Sequence, residues 1–434
     1  MTSTGVPPQE VGDLARQLRA GPGELTEARG YRALWTVPTF PRLALSTFLV
    51  RTAQAMGQLA LVLFVLQRFG APEIAGFTVF LAAAPGILIS PLAGALLDRW
   101  GRVRLMVLDY LVSALTLFAI VALDRVDALS LPLLFVLVAV NSLTNPLGTT
   151  GGRSLFPLVV PRRLWDRANA VDSMGYTLTT LVGPPVAGAI VAIAGAGPAL
   201  AATGALLLAG AVAISGVIDA GVRTATGTHL LEEARAGVMY VVRHPVLRGL
   251  AVSISVNNLG HGILIVGLPV LVLHRLGGDA ALVGLLFAIA GAAGVVSALV
   301  TGRFGTEGRE RQLMAFGMLG GAAGLAIVAT ASAIPAVVVG VIVMGLTAGP
   351  MDVSMFSLRA RVTDPARMGR AFAVSMHLNY MGMPIGSALS GPLLALSVPF
   401  ALGLAAVFPV LAAALTLRML PADGGAGERG RASA

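Results

Sequence analysis

Cysteine and lysine do not occur among the 434 residues, and charged residues make up only 12% of them. The missing cysteine excludes disulfides and thiolate metal sites. The missing lysine excludes a Walker-type Gly-x-x-x-x-Gly-Lys nucleotide loop. Soluble domains carry about 25% charged residues, whereas this chain is 56% hydrophobic. A soluble protein of this size would have to cover its surface with apolar side chains, so the composition predicts a membrane protein.

Apolar segments long enough to cross a membrane recur twelve times along the chain. Each is close to the roughly 20 residues that a helix needs to cross a hydrocarbon core of about 30 Å. Residues 1–42 are polar and lack the apolar core of a signal peptide, so we expect a retained cytoplasmic tail. The predicted spans are 43–66, 74–96, 104–123, 130–151, 169–193, 197–218, 249–272, 280–301, 311–331, 334–357, 371–395 and 398–417.

A polar interruption at 219–247 divides the spans into six plus six. We therefore expect an all-α membrane protein with six-helix bundles at 43–218 and 248–418, followed by a cytoplasmic tail at 419–434. Apolar residues within the interruption recur at helical spacing, which favours an amphipathic helix at the membrane interface; an ordinary solvated linker is the alternative. These apolar residues are Leu230, Leu231, Ala234, Val238 and Val241.

Arginines are concentrated at one end of the predicted bundles. If both termini lie on one side, 26 of the 30 arginines fall on that side, three fall on the other, and Arg51 lies inside a span. The positive-inside rule then makes both termini cytoplasmic. The net charge of +9 therefore indicates membrane topology and not nucleic-acid binding. Arginine without lysine, with abundant alanine and glycine, favours a bacterial plasma-membrane protein from a GC-rich genome.

The two halves repeat each other at an offset of 203 to 204 residues. Arg167-Ala-Asn-Ala-Val171 aligns with Arg370-Ala-Phe-Ala-Val374, and the glycines Gly183 and Gly188 align with Gly386 and Gly391. Because each half contains an even number of spans, the halves run in the same sense, as parallel repeats do. Proteins built in this way bind their substrate at the interface of the repeats.

The loop after the second span reads Gly94-Ala-Leu-Leu-Asp98-Arg99-Trp-Gly101-Arg102. It is similar to the loop 2–3 signature of the major facilitator superfamily, Gly-x-x-x-Asp-Arg-x-Gly-Arg-Arg, and departs from it at Val103. The resemblance implies two pseudo-symmetric six-helix bundles, with Asp98 in a charge network that latches them in one conformation. Helix capping is the alternative role. The predicted latch comprises Gly94, Asp98, Arg99, Gly101, Arg102 and Arg303.

The fifth span contains Gly183, Pro184 and Gly188, which allow a bent helix to pack closely on its neighbour. The order of these residues resembles the fifth-helix motif of drug:proton antiporters, and the preceding loop resembles the macrolide and siderophore exporters. This resemblance implies proton-coupled efflux of a small amphipathic molecule such as a drug, antibiotic or siderophore. A span that merely kinks is the alternative.

Polar side chains inside the spans predict a central, water-filled cavity. Arg51, Gln54 and Gln58 form one stripe, and the repeat places Asn257 and His261 at matching positions of span seven. Arg51 either binds an anionic or strongly polar substrate group or has a structural role, snorkelling or pairing with an acid such as Asp109. The predicted cavity residues are Arg51, Gln54, Gln58, Asn141, Asn145, Tyr176, Asn257, Asn258, His261, His377 and Tyr380.

Carboxylates within the spans are few and are therefore candidates for ion coupling. Asp109 and Asp172 each follow an arginine by about one turn, so we expect both in the cytoplasmic charge layer. Asp352 lies deeper, just after Gly349-Pro350, where we expect a broken helix. A carboxylate in such a site can load and release a proton. Asp352 is therefore the predicted coupling residue or the structural partner of a basic residue, and His261 and His377 are secondary candidates for coupling.

Constellations typical of enzymes are missing from the sequence, which also gives no sign of a cofactor or metal site. We therefore expect no catalytic activity and no cofactor. The expected partners are a small-molecule substrate, protons and the lipid bilayer, and the expected state is a monomer. An uptake symporter of the same fold, or a non-transporting receptor or assembly protein, are the alternatives to an exporter.

Overall fold

The computed structural model describes residues 31–37, 39–217, 238–363 and 368–421. In these ranges the chain is helical without strands, and 11 helices are long and apolar enough to cross a membrane. The helices are α1 (Phe40–Phe69), α2 (Pro72–Trp100), α3 (Arg102–Arg125), α4 (Leu131–Val159), α5 (Trp165–Ala194), α6 (Ala196–Ser215), α7 (Pro245–Val270), α8 (Ala280–Phe304), α9 (Glu310–Thr330), α10 (Ile334–Val362), α11 (Met368–Tyr380), α12 (Gly382–Leu396) and α13 (Val398–Met419).

The predicted eleventh span is two helices, α11 and α12, joined by a turn at Met381. The expectation of one uninterrupted span over 371–395 is wrong on this point. Pro384 explains the break, because proline has no N–H to offer the carbonyl of Tyr380 and its ring crowds that carbonyl. Together α11 and α12 make one crossing, so the twelve-span architecture holds.

Several helices run past the ends that hydropathy predicts. The helix α1 begins at Phe40 and not at residue 43, and α4 continues to Val159 and not to residue 151. Hydropathy marks the hydrocarbon core, whereas a helix continues through the polar interface until a capping or turn residue stops it. The expected break near Gly349 is also wrong, since α10 is continuous through Pro350.

The linker predicted over 219–247 lies mostly outside the described residues. Of its apolar positions, Val238 and Val241 fall in a short helical segment, residues 238–243. Val241 is fully buried against the start of α7, in a cluster with Val246 and Leu247. This side chain therefore packs on the C-terminal half and not on the membrane interface.

The same pairs of helices pack together in both halves. In the N-terminal half, α1 packs on α5 and α6, α3 on α4 and α6, and α2 on α4. In the C-terminal half, α7 packs on α11, α12 and α13, α9 on α10 and α13, and α8 on α10. The fold therefore consists of two pseudo-symmetric bundles, α1–α6 and α7–α13.

Glycine contacts join the two bundles at the arginine-poor end. There α5 packs on α8, and α2 packs on α12. A methyl group on Gly188 of α5 would collide with the carbonyl oxygen of Ala280, and one on Gly391 of α12 would collide with the backbone of Glu73. Since Gly188 and Gly391 are related by the sequence repeat, the two contacts are equivalent. Small residues allow these backbones to touch.

The bundles separate towards the arginine-rich end. The first part of the divided span, α11, packs mainly on α7 of its own half, whereas α12 packs on α2 of the other half. A methyl group on Gly94, Gly175 or Gly302 would meet no neighbouring atom within 4 Å. Gly94 of the predicted latch therefore makes no close helix contact in this conformation, in which the crevice between the bundles opens at the arginine-rich end.

We predict that Gly188→Ala lowers the free energy of unfolding by about 1–3 kcal/mol, because the added methyl group overpacks the contact between α5 and α8. Gly94→Ala is the matched control. Alanine is about 1 kcal/mol more favourable than glycine inside a helix, and Gly94 has space around it, so this variant should keep or gain stability. Denaturant unfolding of the purified protein, followed by tryptophan fluorescence, measures both. Equal losses would contradict the assigned contact.

Candidate functional site

A cavity of about 300 Å³ lies among α1, α2, α3, α4 and α6 of the N-terminal half. Met383 of α12 also lines it, so the cavity adjoins the interface between the bundles. Four predicted cavity residues, Gln54, Gln58, Asn141 and Asn145, line this one space. Leucine, valine and alanine side chains form much of the remaining wall, so the cavity combines amide groups with apolar surface.

Asp109 is the carboxylate of this cavity and does not lie in the cytoplasmic charge layer, where its spacing from Arg104 predicts it. Its residue is 1% exposed, and the hydroxyl groups of Ser113 and Thr144 and the backbone of Gly148 face its oxygens. Gly148 makes room for it, because a methyl group there would collide with the carboxylate. The spacing from Arg104 gave the depth along α3 but not the direction in which Asp109 points, so the assignment was wrong.

Arg51 forms an ion pair with Asp172 of α5 and not with Asp109. Arg51 Nη1 lies 2.8 Å from Asp172 Oδ1, Nη2 donates to Oδ2 at 3.1 Å, and Nη1 also donates to the Asp172 carbonyl at 3.0 Å. The guanidinium lies 5.6 Å from the ring centroid of Tyr176, one turn further along α5. The expectation that Asp172 belongs to the cytoplasmic charge layer is therefore wrong, because Asp172 pairs with Arg51 inside the bundle.

The C-terminal half holds a buried arginine, Arg359, just beyond the predicted end of the tenth span at residue 357. Arg359 of α10 is 0% exposed, its Nη1 lies 2.8 Å from Met376 Sδ, and the Asn379 carboxamide lies against it. Asn379 is the repeat counterpart of Tyr176. Each half therefore places an arginine against the equivalent face of its fifth helix, but from α1 in one half and from α10 in the other.

The polar stripe on α7 does not mirror the stripe on α1 as expected. No described residue of α7 lines the cavity that contains Gln54 and Gln58. Asn258 instead donates to the carbonyl of Asn379 at 2.9 Å, which holds the last turn of α11 before the break. Asn257 is half-buried, and His261 is exposed on α7. Matching sequence positions therefore have different surroundings in the two halves.

Tyr380 lies at the open crevice and interacts with other predicted residues there. It lies at the end of α11, is 45% exposed, and interacts electrostatically with Tyr176 and Arg153 of the N-terminal half and with Asp352 and Arg359 of its own half. Asp352 is exposed on α10, and His377 is half-buried one turn before the end of α11. The structure therefore brings Tyr176, Tyr380 and Asp352 to one crevice between the bundles.

The predicted latch is an ion pair within the N-terminal half. Arg102 forms an ion pair with Asp98, and its Nε donates to Ser154 Oγ of α4 at 3.2 Å. Arg99 and Arg303 are both exposed. Gly101 has a φ of 91°, and its repeat counterpart Gly305 has a φ of 68°, so both loops contain the tight turn that glycine permits. A latch between the bundles stays a prediction for a conformation in which this end is closed.

The fifth-helix motif lies at two helix contacts. Gly183 faces Ala55 of α1, and Gly188 faces Ala280 of α8. Pro184 lies inside α5, and its carbonyl oxygen would be 2.5 Å from a methyl group on Gly284. The motif therefore packs α5 on α1 of its own bundle and on α8 of the other bundle. No group of three or more His, Cys, Asp or Glu that could hold a metal occurs among the residues that the structure describes.

The family model described as the Major Facilitator Superfamily matches residues 43–305 and 250–433. The chain belongs to this superfamily. Membership of the superfamily accounts for the sequence repeat, the two bundles and the loop 2–3 motif. As a member of a family of transporters, the protein is a membrane transporter and not an enzyme.

Curated relatives cover almost the whole chain. An uncharacterised MFS-type transporter, y4rN of Sinorhizobium fredii, is 37% identical over 393 residues, which are 90% of this chain and 97% of that protein. The multidrug efflux pump Tap of Mycolicibacterium fortuitum is 29% identical over 84% of this chain and 95% of its own. Tap of Mycobacterium tuberculosis is 26% identical over 87% and 92%.

Solved structures share the fold at low sequence identity. A variant of the nucleoside transporter NupG superimposes with a TM-score of 0.70 at 14% identity, over 88% of this chain and 99% of its own. A bacterial homologue of the human lysosomal transporter Spinster, solved inward-facing and unoccupied, gives a TM-score of 0.68 at 14% identity, over 88% and 97%. These likenesses concern the fold alone.

We predict that Arg51 and Asp172 stabilise the protein as a pair. Arg51→Gln and Asp172→Asn should each lower the free energy of unfolding, because each leaves a charge without its partner. The double variant should lose less than the sum of the two. Since the side chains are 20% and 38% exposed, we expect a coupling of about 1–2 kcal/mol, between the values for exposed and buried pairs. A double-mutant cycle measures the coupling, and strictly additive losses would show that the contact contributes nothing.

Proposed function

We propose that this transporter exports a small amphipathic molecule in exchange for protons, by alternating access of the crevice between its bundles. The observation that carries the proposal is the shape of that crevice: glycine contacts close it at the arginine-poor end, and it opens at the arginine-rich end. By the positive-inside rule the arginine-rich end is cytoplasmic. In this conformation the crevice exchanges substrate with the cytoplasm, which is where an exporter loads.

The cavity supports an amphipathic substrate. Its carboxamides, from Gln54, Gln58, Asn141 and Asn145, can each donate and accept hydrogen bonds. Its remaining wall includes Leu61, Val79, Leu117, Leu137 and Val138. A mostly apolar pocket with a few polar groups binds ligands that bury apolar surface and orient one polar end. Drugs, antibiotics and siderophores fit this description.

The relatives support the export direction. Two of them, both named Tap, are described as multidrug efflux pumps, and they align with more than four fifths of this chain. The organisms of the curated relatives are bacteria, which supports a bacterial plasma-membrane location. The arginine distribution supports both termini in the cytoplasm. We propose a monomer, because each chain contains both halves of the crevice.

Asp352 is the proposed proton carrier. It lies on α10 at the crevice, within electrostatic range of Tyr380, whose hydroxyl group also interacts electrostatically with that of Tyr176 across the crevice. A carboxylate exposed to the crevice can exchange its proton with whichever side the crevice opens to. Because loading and releasing the proton changes the charge between the bundles, protonation is able to favour one of the two conformations.

We predict that Asp352→Asn abolishes substrate-driven proton movement. Inverted membrane vesicles are acidified inside, and a pH-sensitive dye reports proton efflux when an antibiotic or siderophore from a panel is added. Wild-type vesicles should accumulate the substrate and release protons, whereas the Asp352→Asn vesicles should do neither while still binding the substrate. Asp127→Asn, at an exposed loop carboxylate, is the matched control and should behave as wild type.

Other outcomes of this assay decide against the proposal. Substrate that leaves inverted vesicles down a proton gradient would indicate an uptake symporter. Substrate binding without any movement in proteoliposomes would indicate a receptor or assembly protein. Full proton-driven transport by Asp352→Asn would show that another group carries the proton.

A further inference from the structure

A cluster of oxygen atoms surrounds Asp109 on α3 and α4. Ser113 Oγ lies 3.4 Å from Asp109 Oδ1 and 3.4 Å from Asn141 Oδ1. The Thr144 hydroxyl faces the same carboxylate. Asp109, Ser113 and Asn141 all line the cavity. Two buried residues, Asp109 and Ser113, and the half-buried Asn141 therefore bring their oxygens together in the wall of the cavity.

The separations of these oxygens are longer than ordinary hydrogen bonds between oxygens. Such bonds are about 2.5–3.0 Å long, with a mode near 2.7–2.8 Å. A serine hydroxyl also has only one proton, so it cannot donate to Asp109 and Asn141 at the same time. At any one time, therefore, either Asp109 Oδ1 or Asn141 Oδ1 receives no hydrogen bond from Ser113.

The orientation of the Asn141 carboxamide is set from its other side. Its Nδ2 donates to Thr116 Oγ1 at 3.2 Å, and Thr116 in turn donates to the backbone carbonyl of Ser113 at 2.9 Å. This arrangement directs Asn141 Oδ1 towards Ser113 Oγ. The Asn141 carboxamide therefore turns its acceptor oxygen, Oδ1, towards the cluster and its donor, Nδ2, away from it.

The spacing matches the coordination shell of a hard cation. Cations near the radius of Ca²⁺, Na⁺ among them, take oxygen ligands at about 2.3–2.6 Å. Neighbouring ligands of an octahedral shell then lie about 3.3–3.7 Å apart, by the same distances. Both separations from Ser113 Oγ fall in this range.

The charge of the cluster selects a monovalent cation. Asp109 supplies one negative charge, and the ligands from Ser113, Asn141 and Thr144 are neutral. Within the described part of the chain Asp109 has no ion pair, since Arg51 is held by Asp172. A buried carboxylate is costly without a compensating charge, and a divalent ion here would leave a net positive charge in the membrane.

We propose that Asp109, Ser113 and Asn141, with Thr144, form a Na⁺ site that opens into the cavity of the N-terminal half. The cavity of about 300 Å³ leaves room for water molecules to complete the coordination shell. The site is separate from Asp352, which lies on the C-terminal half. It therefore stands whether or not protons drive transport.

Binding is tested on the full-length protein in detergent, by thermal unfolding in NaCl, KCl or choline chloride at equal ionic strength and fixed pH. The melting temperature of the wild type should rise with Na⁺ and saturate, because a ligand that binds only the native state stabilises it. K⁺ and choline should have no such effect. Asp109→Asn should abolish the Na⁺ response, while Asp127→Asn, at the exposed loop carboxylate, should keep it as the matched control.

Ser113→Ala provides a second variant if Asp109→Asn does not fold. Loss of one neutral ligand should move the Na⁺ midpoint to a concentration about tenfold higher or more. Equal responses to Na⁺ and choline would overturn the site, as would an unchanged Na⁺ midpoint in either variant. A melting temperature that responds to pH through Asp109 but not to Na⁺ would also overturn it and make Asp109 a proton site.

Discussion

Hydrocarbon offers no hydrogen bonds and poorly solvates charge, and the rest of this structure depends on that constraint. Every backbone group inside the membrane must find a partner in the protein, which is why the described chain is helical throughout. The same constraint applies to side chains. Arg51 is held by Asp172 and by its backbone carbonyl, and the interruption between α11 and α12 is covered by Asn258, whose amide binds a carbonyl of the last turn of α11.

The two bundles meet this constraint differently, because each contains different buried polar groups. The N-terminal half encloses the amide-lined cavity and the oxygen cluster at Asp109. The C-terminal half contributes the divided helix, the buried Arg359 and the carboxylate of Asp352 beside the crevice. Among the described residues, the glycine contacts between the halves lie at one end, so each bundle can tilt as a unit while the contacts at the two ends alternate.

Hydropathy, arginine placement and the repeat were enough to predict the membrane class, the two bundles and the importance of Gly188 with its counterpart Gly391. These features depend on composition and spacing, which the sequence contains directly. The partner of Arg51 and the burial of Asp109 depend on the rotation of each helix about its axis, which linear spacing does not give. The break at Met381 carried a signal in Pro384, but the same signal at Pro350 accompanies a continuous helix, so proline alone does not locate a break.

Spin-label distances across both ends of the molecule test the alternation of the bundles most directly, and the cysteine-free chain permits site-specific labelling. One pair replaces Arg104 and Arg309, both exposed at the arginine-rich end; the other replaces Asp127 and Ser332, both exposed at the opposite end. As pH is varied or substrate is added in lipid nanodiscs, we expect one distance to shorten while the other lengthens. Two distances that stay fixed, or that change in the same sense, would contradict the account.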